Sequence, residues 1–178
     1  MRGRVGQDRF ALRLLENFPS EDVGGELLEE VREERDRYRE LFGYIPADVY
    51  LFETVFGLTP EQEPRAQALL EKMEIAHKTS ITNGKITNRA LSTGQRQRLA
   101  MVVTLLSDRP VLVFDEWAAT QDPEHRSLFY DVLLPELRAQ RKLVIVVSHD
   151  DRYFHLADVQ LAFGGGQMRV LRRDAPCP

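Results

Sequence analysis

Two apolar segments of the chain end in residues that could carry phosphate chemistry. Asp115 and Glu116 follow the segment 111–114, and His149 lies just beyond the segment 142–147. Neighbouring carboxylates are costly to bury without a partner, so such a pair needs hydrogen bonds or a bound cation. Mg²⁺ held by one carboxylate and by nucleotide phosphates would satisfy that need. An Asp that ends a strand and caps the following helix explains the same residues, and the pattern alone leaves both interpretations open.

A third group of candidate residues lies at the start of a predicted helix. The sequence LSTGQ, which begins at Leu91, directly precedes a segment with helical apolar spacing. Hydroxyl, glycine and exposed amide groups at a helix N-terminus form a natural anion site, which the helix dipole strengthens. The residues concerned are Ser92, Thr93, Gly94 and Gln95. An ordinary structural cap at Ser92 is the alternative.

The two apolar segments are typical of buried parallel strands. The first, 111–114, is bounded by turn residues, and the second, 142–149, is rich in β-branched residues. A helix predicted over 123–140 connects them, so the three elements form a βαβ unit whose sheet should be covered on both faces. Ligands of such sheets bind beyond the carboxyl ends of the strands, where the acidic pair and the histidine lie. The sequence therefore predicts an α/β fold.

The rest of the chain is predicted from turn, cap and periodicity signals. The first predicted elements are a surface helix within 20–41, a strand at 43–52 that leads into a loop, and a helix opened at Thr59 and running through 65–73. A turn at Asn83-Gly84 and two strands around a Gly-rich turn within 158–171 are also predicted. The helix predicted after Ser92 ends at 108–110, and its apolar face consists of Leu99, Val102, Val103 and Leu106.

Composition restricts the class of protein. The 178 residues are 43% hydrophobic and 29% charged, which is typical of one globular domain with a real core. A net charge of −4 argues against a protein that coats nucleic acid, so no nucleic-acid partner is expected. The only cysteine, Cys177, can form no internal disulfide. No apolar run reaches the roughly 20 residues that span a bilayer, and no signal peptide is expected at the N-terminus.

Four motifs in a fixed order carry a resemblance to a known family. LSTGQRQRLA, VLVFDE, the Asp122-Pro123 pair and VIVVSHDD resemble the signature, Walker B, D-loop and switch-histidine motifs of ATP-binding-cassette (ABC) ATPases. Thr93 stands where the family's signature normally has Gly. DEWAATQDPEHRSLFYDVLLPEL and SHDDRYFHLAD are similar in more detail to the ATPase half of cyclic-peptide and siderophore-peptide exporters. Trp117 and Gln121 are the residues that favour this branch.

The resemblance implies a P-loop NTPase-like parallel sheet with flanking helices and a helical signature subdomain. It implies that Asp115 positions Mg²⁺, that Glu116 polarises the attacking water and that His149 contacts the γ-phosphate. Within Ser92–Gln95, Ser92 and Gly94 would donate hydrogen bonds to the nucleotide of a partner domain. Asp122 would couple the two nucleotide sites. Phosphoryl transfer depends on positioning and charge neutralisation, which is the work that such residues do.

The implied cofactors are ATP and Mg²⁺. The implied partners are a second ABC ATPase domain, in a head-to-tail dimer, and the transmembrane domain of an exporter. The protein would then lie in the cytoplasm, peripheral to the inner membrane. The expected organisation is one partial ABC domain over 1–178, with a degenerate P-loop region at 1–15, the signature subdomain at 54–108 and the Walker B to switch-histidine part at 109–178.

The P-loop is the main departure from the family pattern. No G-x-x-x-x-G-K-[ST] string occurs, and the candidate is a degenerate version with Gly3, Gly6 and Arg9 in the phosphate-binding positions. Asp8 would place a negative charge near phosphate, and Phe10 cannot ligate Mg²⁺ as Ser or Thr does. Three explanations stay open: a lost start or reading frame, a natural pseudo-ATPase, or an accidental similarity. We favour the first and expect an N-terminally incomplete domain.

A second departure is Ala47, which stands where most ABC ATPases have a Mg²⁺-contacting Gln and where the cyclic-peptide exporter branch lacks it too. Nearby, Tyr50–Phe52 are candidates for contact with the membrane domain. The leading function is the ATPase part of an exporter, and the alternative is an inactive partner that offers only its signature loop. His77, His125 and His155 lack a motif context and are given no role.

Overall fold

The computed structural model describes residues 35–164 and 166–173. The chain divides into two compact units. One is 40–151, and the other contains the described residues 35–39, 152–164 and 166–173. Every candidate active-site residue that is described lies in the unit 40–151.

The described part of the chain alternates strands and helices. The strands are β1 (Phe42–Ile45), β2 (Ile81–Thr82), β3 (Lys85–Ile86), β4 (Val111–Asp115), β5 (Leu143–Val147), β6 (Val159–Gly164) and β7 (Gln167–Arg173). The α-helices are α1 (Glu63–Lys72), α2 (Thr93–Leu106), α3 (Pro123–Ser127) and α4 (Leu134–Ala139). Short 3₁₀ helices cover Pro60–Gln62, Trp117–Thr120 and Asp151–Leu156, a π-helical turn covers Leu128–Leu133, and residues 35–40 are helical.

Within the described residues, the central sheet has three parallel strands in the order β1, β4, β5. Its register pairs Asp115, the last residue of β4, with Val147, the last residue of β5. Leu112 and Phe114 on β4 are buried, as expected for a strand with a neighbour on each side. The predicted strands and their parallel βαβ connection are therefore confirmed.

Among the described residues, one face of β5 has no cover, so the prediction that the sheet is covered on both faces is not tested there. Leu143, Ile145 and Val147 are exposed by 59%, 40% and 37%. Side chains alternate between the two faces of a strand, so these three share one face, which the described elements leave open. Because β5 is apolar on both faces, its sequence does not show which face each neighbouring element covers.

Helix α2 begins where the sequence predicts. The Ser92 side chain accepts a hydrogen bond from the Gln95 amide at 3.3 Å, and the Gln95 side chain accepts one from the Ser92 amide at 3.0 Å. This reciprocal pair is a capping box, which satisfies two amides at the helix start. After the helix, Asp108 has a φ of 52°, which ends the helical path. The predicted positions Leu99, Val102 and Leu106 are buried, and Val103 is half-buried.

The core of the unit lies where α2 packs against α1 and β1. Its fully buried side chains include Leu70, Met73, Leu99, Met101, Val102, Phe114, Trp117 and Phe129. The helix predicted from Thr59 is confirmed with one difference, since its first turn is a 3₁₀ helix before α1 begins. None of the described helices combines the length and the apolar character that a bilayer crossing requires.

The helix predicted over 123–140 is confirmed as a continuous helical stretch, but its centre is the π turn between α3 and α4. Pro135 explains this difference. A proline lacks the amide hydrogen, and in a regular helix its ring would collide with the carbonyl four residues earlier. The wider turn before Pro135 relieves the collision and keeps Phe129 and Tyr130 buried.

Two predicted turns are confirmed. Asn83 and Gly84, with φ values of 50° and 71°, join the antiparallel strands β2 and β3. Both positions need a positive φ in the tight hairpin turns that match strand twist, which explains the Asn-Gly sequence. In the second unit, β6 and β7 pair antiparallel as the Gly-rich segment predicts.

Candidate active site

The ends of β4 and β5 bring three candidate residues together. The Glu116 amide donates to the Val147 carbonyl at 3.0 Å, so the two strands stay paired up to the last residue before each loop. Asp115 ends β4, and His149 lies two residues beyond the end of β5. The two loops therefore leave the sheet side by side. The predicted grouping of the acidic pair with the histidine follows from this register.

Glu116 lies between the other two candidate residues, next to Asp115 in the chain and close to His149 in space. Its Oε1 lies 3.2 Å from His149 Nε2. Oε1 is nevertheless buried without a hydrogen-bond partner among the described residues, because the two side chains approach without hydrogen-bond geometry. Burial raises the pKa of Glu116 above its ordinary value, His149 lowers it, and the neighbouring charge of Asp115 raises it further. A carboxylate with a raised pKa is a stronger proton acceptor.

The backbone at Glu116 is unusual. Its φ of 51° lies in the left-handed region, which is uncommon for residues other than Gly. Strained positions of this kind persist only where the surrounding structure holds them in place, and they are common in active sites. Here the amide bond to Val147 fixes one side, and the 3₁₀ helix Trp117–Thr120 fixes the other. The side chain is thereby directed towards His149, which is itself 70% exposed.

Asp115 has a partner that the sequence did not reveal. The Tyr44 hydroxyl donates to Asp115 Oδ2 at 3.1 Å, across the β1–β4 pairing. The described residues contain no cluster of three or more His, Cys, Asp or Glu side chains that could hold a metal by themselves. A single oriented carboxylate suits Mg²⁺, which usually keeps waters and phosphate oxygens as its other ligands. The residues present therefore fit a Mg²⁺ ion that arrives with a nucleotide.

The start of α2 is held against the loop that follows β4. A Cβ on Gly94 would lie 3.1 Å from the Thr120 carbonyl oxygen, so this position accepts a larger residue only if the loop shifts. The Gln121 side chain donates to the Gly94 carbonyl at 3.3 Å. Ser92 and Thr93, in contrast, are exposed. The exposed hydroxyls of Ser92 and Thr93 thus lie at a helix start whose backbone packs closely against the loop 117–122.

Trp117 fixes the loop after β4 to α2. Its indole Nε1 donates to the Gln97 carbonyl at 3.0 Å, and its ring packs on Phe129 with centroids 4.7 Å apart. The side chain is 1% exposed. Trp117 therefore acts as an anchor for the loop that presents Glu116 at one end and Asp122 at the other.

Helix α3 connects this loop with the loop after β5. Arg126 lies 3.5 Å from Asp150 and donates to the Gln121 carbonyl at 3.1 Å. In the π turn, the Tyr130 hydroxyl donates to or accepts from Ser148 Oγ at 3.1 Å. The loop that carries His149 is therefore tied to the same helix that Asp122 begins.

Gln97 extends the contacts of α2 in a third direction. Its side-chain amide donates to the carbonyls of Pro46 and Ala47 at 3.0 Å and 2.6 Å. The loop around Ala47 is thus held by a glutamine of α2. Beyond it lies a groove of about 360 Å³, whose lining includes Tyr50 and Phe52. These two rings are 77% and 64% exposed and meet edge to face.

Several residues of this site were not predicted from the sequence. His125, which was given no role, is buried and lies within hydrogen-bonding distance of Asp122. Tyr44 and Gln97 also went unrecognised as site residues. The local signal for His125 was its position three residues after a helix-capping Asp, while Tyr44 gave none. Gly3, Gly6 and Arg9 lie outside the described residues, so the P-loop stays a prediction.

Several known proteins are similar in sequence to this chain. The family model described as ABC transporter matches residues 12–119. ATP-binding protein SyrD of Pseudomonas syringae pv. syringae is 41% identical over 136 residues, which are 73% of this chain and 24% of SyrD. The ATP-dependent lipid A-core flippase of Pseudoalteromonas atlantica is 30% identical over 185 aligned residues, which cover 93% of this chain and 31% of the flippase. The chain thus spans between a quarter and a third of these two relatives.

Solved structures share the fold. CbiO1 of Clostridium perfringens, part of the ABC transporter complex CbiONQ, superposes with a TM-score of 0.58 and 25% identity over 78% of this chain and 59% of CbiO1. A bacterial Atm1-family ABC exporter with ATP bound superposes with a TM-score of 0.63 and 19% identity over 76% of this chain and 26% of the exporter. These similarities bear out the α/β class with a parallel sheet and flanking helices.

Proposed function

Because the chain belongs to the ABC transporter family, as an ATP-binding domain, we propose that it binds and hydrolyses ATP to drive an exporter. The observation that carries the proposal is the placement of Asp115, Glu116 and His149 at the adjacent ends of β4 and β5. The membrane-crossing part would be supplied by a transmembrane domain, and the protein would lie peripheral to the cytoplasmic face of the inner membrane.

The three residues divide the work of hydrolysis. Asp115, oriented by Tyr44, would hold Mg²⁺, which neutralises charge on the phosphate oxygens when bound. Glu116 would accept a hydrogen bond from the attacking water through its unpartnered Oε1. His149 lies 3.2 Å from that oxygen, on the exposed side, where it can donate to a γ-phosphate and to the same water. Each role needs a side chain in a fixed place, and the strand register supplies it.

The start of α2 would serve a second ATPase domain. Ser92 and Thr93 are exposed at the N-terminus of a 14-residue helix, where amide groups and the helix dipole favour an anion. The Ser92 hydroxyl accepts from the Gln95 amide, so its own hydrogen stays available for a phosphate oxygen. Gly94 keeps the helix start close to the loop 117–122. We infer that Ser92–Gln95 meets the γ-phosphate of nucleotide bound to the partner of a head-to-tail dimer.

The groove beside β1 would receive the membrane domain. Tyr50, Phe52 and Phe56 are large aromatic residues at its rim, exposed by 77%, 64% and 82%. Exposed aromatic clusters of this size mark interaction surfaces. The groove lies next to the loop that Gln97 ties to α2, so a force on the groove would reach the signature helix directly.

A cyclic-peptide or siderophore-peptide substrate is the finer proposal. It is supported by the sequences DEWAATQDPEH and SHDDRYF, in which the branch-specific residues Trp117 and Gln121 make defined contacts. Trp117 anchors the loop on α2 and Phe129, and Gln121 donates to the Gly94 carbonyl.

MgATP hydrolysis by the purified chain tests the proposal. Glu116→Gln and His149→Ala should each lower the rate by roughly 100- to 10,000-fold, while His77→Ala, an exposed histidine outside the site, should leave it unchanged. Calorimetric titration with MgATP separates binding from chemistry, and Glu116→Gln should bind as the unaltered chain does.

The N-terminal prediction requires a further variant. The triple change Asp8→Gly, Arg9→Lys and Phe10→Ser restores the family's P-loop chemistry at those positions. If only the altered chain binds MgATP, the degenerate P-loop is confirmed, the natural chain is a disabled ATPase, and the proposal that it hydrolyses ATP is refuted. If neither binds, the proposed hydrolytic function is refuted.

A further inference from the structure

A buried histidine joins the signature helix to the loop that precedes α3. His125 is 8% exposed and occupies the third position of α3. Its Nδ1 lies 2.7 Å and 2.8 Å from the two carboxylate oxygens of Asp122. Its Nε2 contacts Arg98 Nη1, from the middle of α2. Glu74 Oε2, from the segment after α1, lies 3.4 Å from the same nitrogen.

The two partners determine which ring nitrogen carries the proton. An ionised Asp122 can only accept a hydrogen bond, so Nδ1 must donate to it. Arg98 can only donate, so Nε2 must accept from it. Arg98 is 9% exposed and also donates to the Met73 carbonyl at 3.1 Å, which holds its guanidinium in place. These two contacts place the ring hydrogen on Nδ1.

His125 is the described side chain that touches both charged groups. Among the described ion pairs, none joins Arg98 directly to Asp122. The Asp122 carboxylate is 56% exposed, yet both its oxygens are within reach of His125, and one also accepts from the His125 amide at 3.0 Å. These contacts with the His125 ring and amide fix the orientation of the exposed Asp122 carboxylate. A histidine that only filled the core would need neither contact.

We propose that His125 is a positioning residue that couples the signature helix to Asp122 through the chain Arg98–His125–Asp122. This proposal rests on the proposed function, in which Ser92–Gln95 at the start of α2 meets a partner's nucleotide. A displacement of α2 moves Arg98, and the imidazole transmits that displacement to the Asp122 carboxylate. Whether a nucleotide is engaged at the signature residues thereby affects the direction of Asp122.

The tautomer can be measured without any nucleotide. In the full chain labelled with ¹⁵N-histidine, long-range proton–nitrogen spectra at pH 7.5 distinguish the two neutral tautomers and the cation, and His125→Gln assigns the signals. His155, whose Nδ1 lies 2.9 Å from the Arg152 carbonyl oxygen, should also carry hydrogen on Nδ1. We expect the signals that vanish in His125→Gln to be those of an Nδ1–H form. An Nε2–H form or an imidazolium at His125 would overturn the proposal, because neither can link an acceptor at Nδ1 with a donor at Nε2.

Substitutions separate the link from simple filling of space. His125→Gln keeps one donor and one acceptor in an uncharged side chain, whereas His125→Leu keeps similar volume and removes both. If the chain hydrolyses MgATP, His125→Leu should lower kcat by roughly 3- to 30-fold with KM for ATP unchanged, and His125→Gln should restore much of the loss. His77→Leu is the matched control and should change neither constant. Equal losses for Leu and Gln would overturn the proposal.

A coupling measurement keeps the test valid if hydrolysis itself fails. Arg98→Met and Asp122→Asn are made singly and together, and the unfolding equilibrium constants are measured in urea. With His125 present, the two changes should be non-additive by roughly threefold or more. With His125→Leu in the background, the non-additivity should disappear. If it persists, Arg98 and Asp122 couple directly through their charges and His125 is not the link. A chain that shows the coupling but no hydrolysis would refute the proposed function alone.

Discussion

Replacing Glu116 by Gln should stabilise the protein and also lower the proposed MgATP hydrolysis. The Glu116 side chain is 25% exposed, and its Oε1 is buried without a hydrogen-bond partner among residues 35–164 and 166–173. A buried unsatisfied acceptor costs about 1–3 kcal/mol, and partial exposure places Glu116 at the low end. Gln keeps the shape, and its amide would still lack a partner at that position. It removes the charge, whose desolvation on burial is the part of the cost that the substitution relieves. We therefore expect a gain of about 1 kcal/mol at pH 7.5, which is a rise in melting temperature of about 2–4 °C.

The pH dependence gives this prediction its sign. Burial raises the pKa of Glu116 in the folded state, so the folded chain binds the proton more tightly than the unfolded chain does. The contribution of Glu116 to the free energy of unfolding is then most favourable below its unfolded pKa, about 4.3. This contribution falls as the pH rises through the folded pKa. Gln does not titrate, so the advantage of Glu116→Gln should be complete at pH 7.5 and shrink as the pH falls towards 4.3.

Urea unfolding at several pH values between 5 and 8 measures the effect. Asp131→Asn, which changes an exposed carboxylate on the π turn, is the matched control and should show no such gain. If Glu116→Gln instead destabilises the chain at pH 7.5, the ionised carboxylate is satisfied in the folded state. The view of Glu116 as a residue held in place at a cost to stability would then be wrong.

Three further changes probe the elements that position the site, each by urea unfolding. Trp117→Ala should cost about 3–5 kcal/mol because a fully buried ring is lost, and a cost below about 1 kcal/mol would show that the loop does not depend on this anchor. Ser92→Ala should cost about 1 kcal/mol by removing the capping box, whereas Ser107→Ala at the other end of α2 should stay within about 0.5 kcal/mol. Arg141→Gly should add about 1 kcal/mol, because Arg141 has a φ of 59° just after α4. Arg141→Ala keeps the strain, and an equal gain from it would contradict this explanation.

Local signals predicted the elements that carry the site. The capping box at Ser92, the Asn83-Gly84 turn and the apolar run of β4 each specify structure over a few neighbouring residues. The site itself followed from one further rule, that parallel strands end at the same side of a sheet. For this reason Asp115, Glu116 and His149 could be grouped before any coordinates were known.

Contacts between distant parts of the chain could not be predicted in this way. Tyr44 and Asp115 are 71 positions apart, and nothing near either residue indicates the other. The cap at Asp122 was visible in the sequence, but the reach of Arg98 to His125 depends on how α2 packs. The cover of each face of β5 is of the same kind, because the burial of a strand depends on its neighbours.

The π turn has a consequence for how this helical stretch tolerates insertions and deletions. An α-helix turns by about 100° per residue, so a wide turn resets the azimuth of everything after it. Before the turn, Arg126 faces Asp150, and after it Leu137 is buried where α4 packs on β5. Removing one residue between 128 and 133 would leave both ends helical but out of phase by about 100°. One of the two ends would then lose its contacts, so the length of this segment is constrained more strictly than its composition.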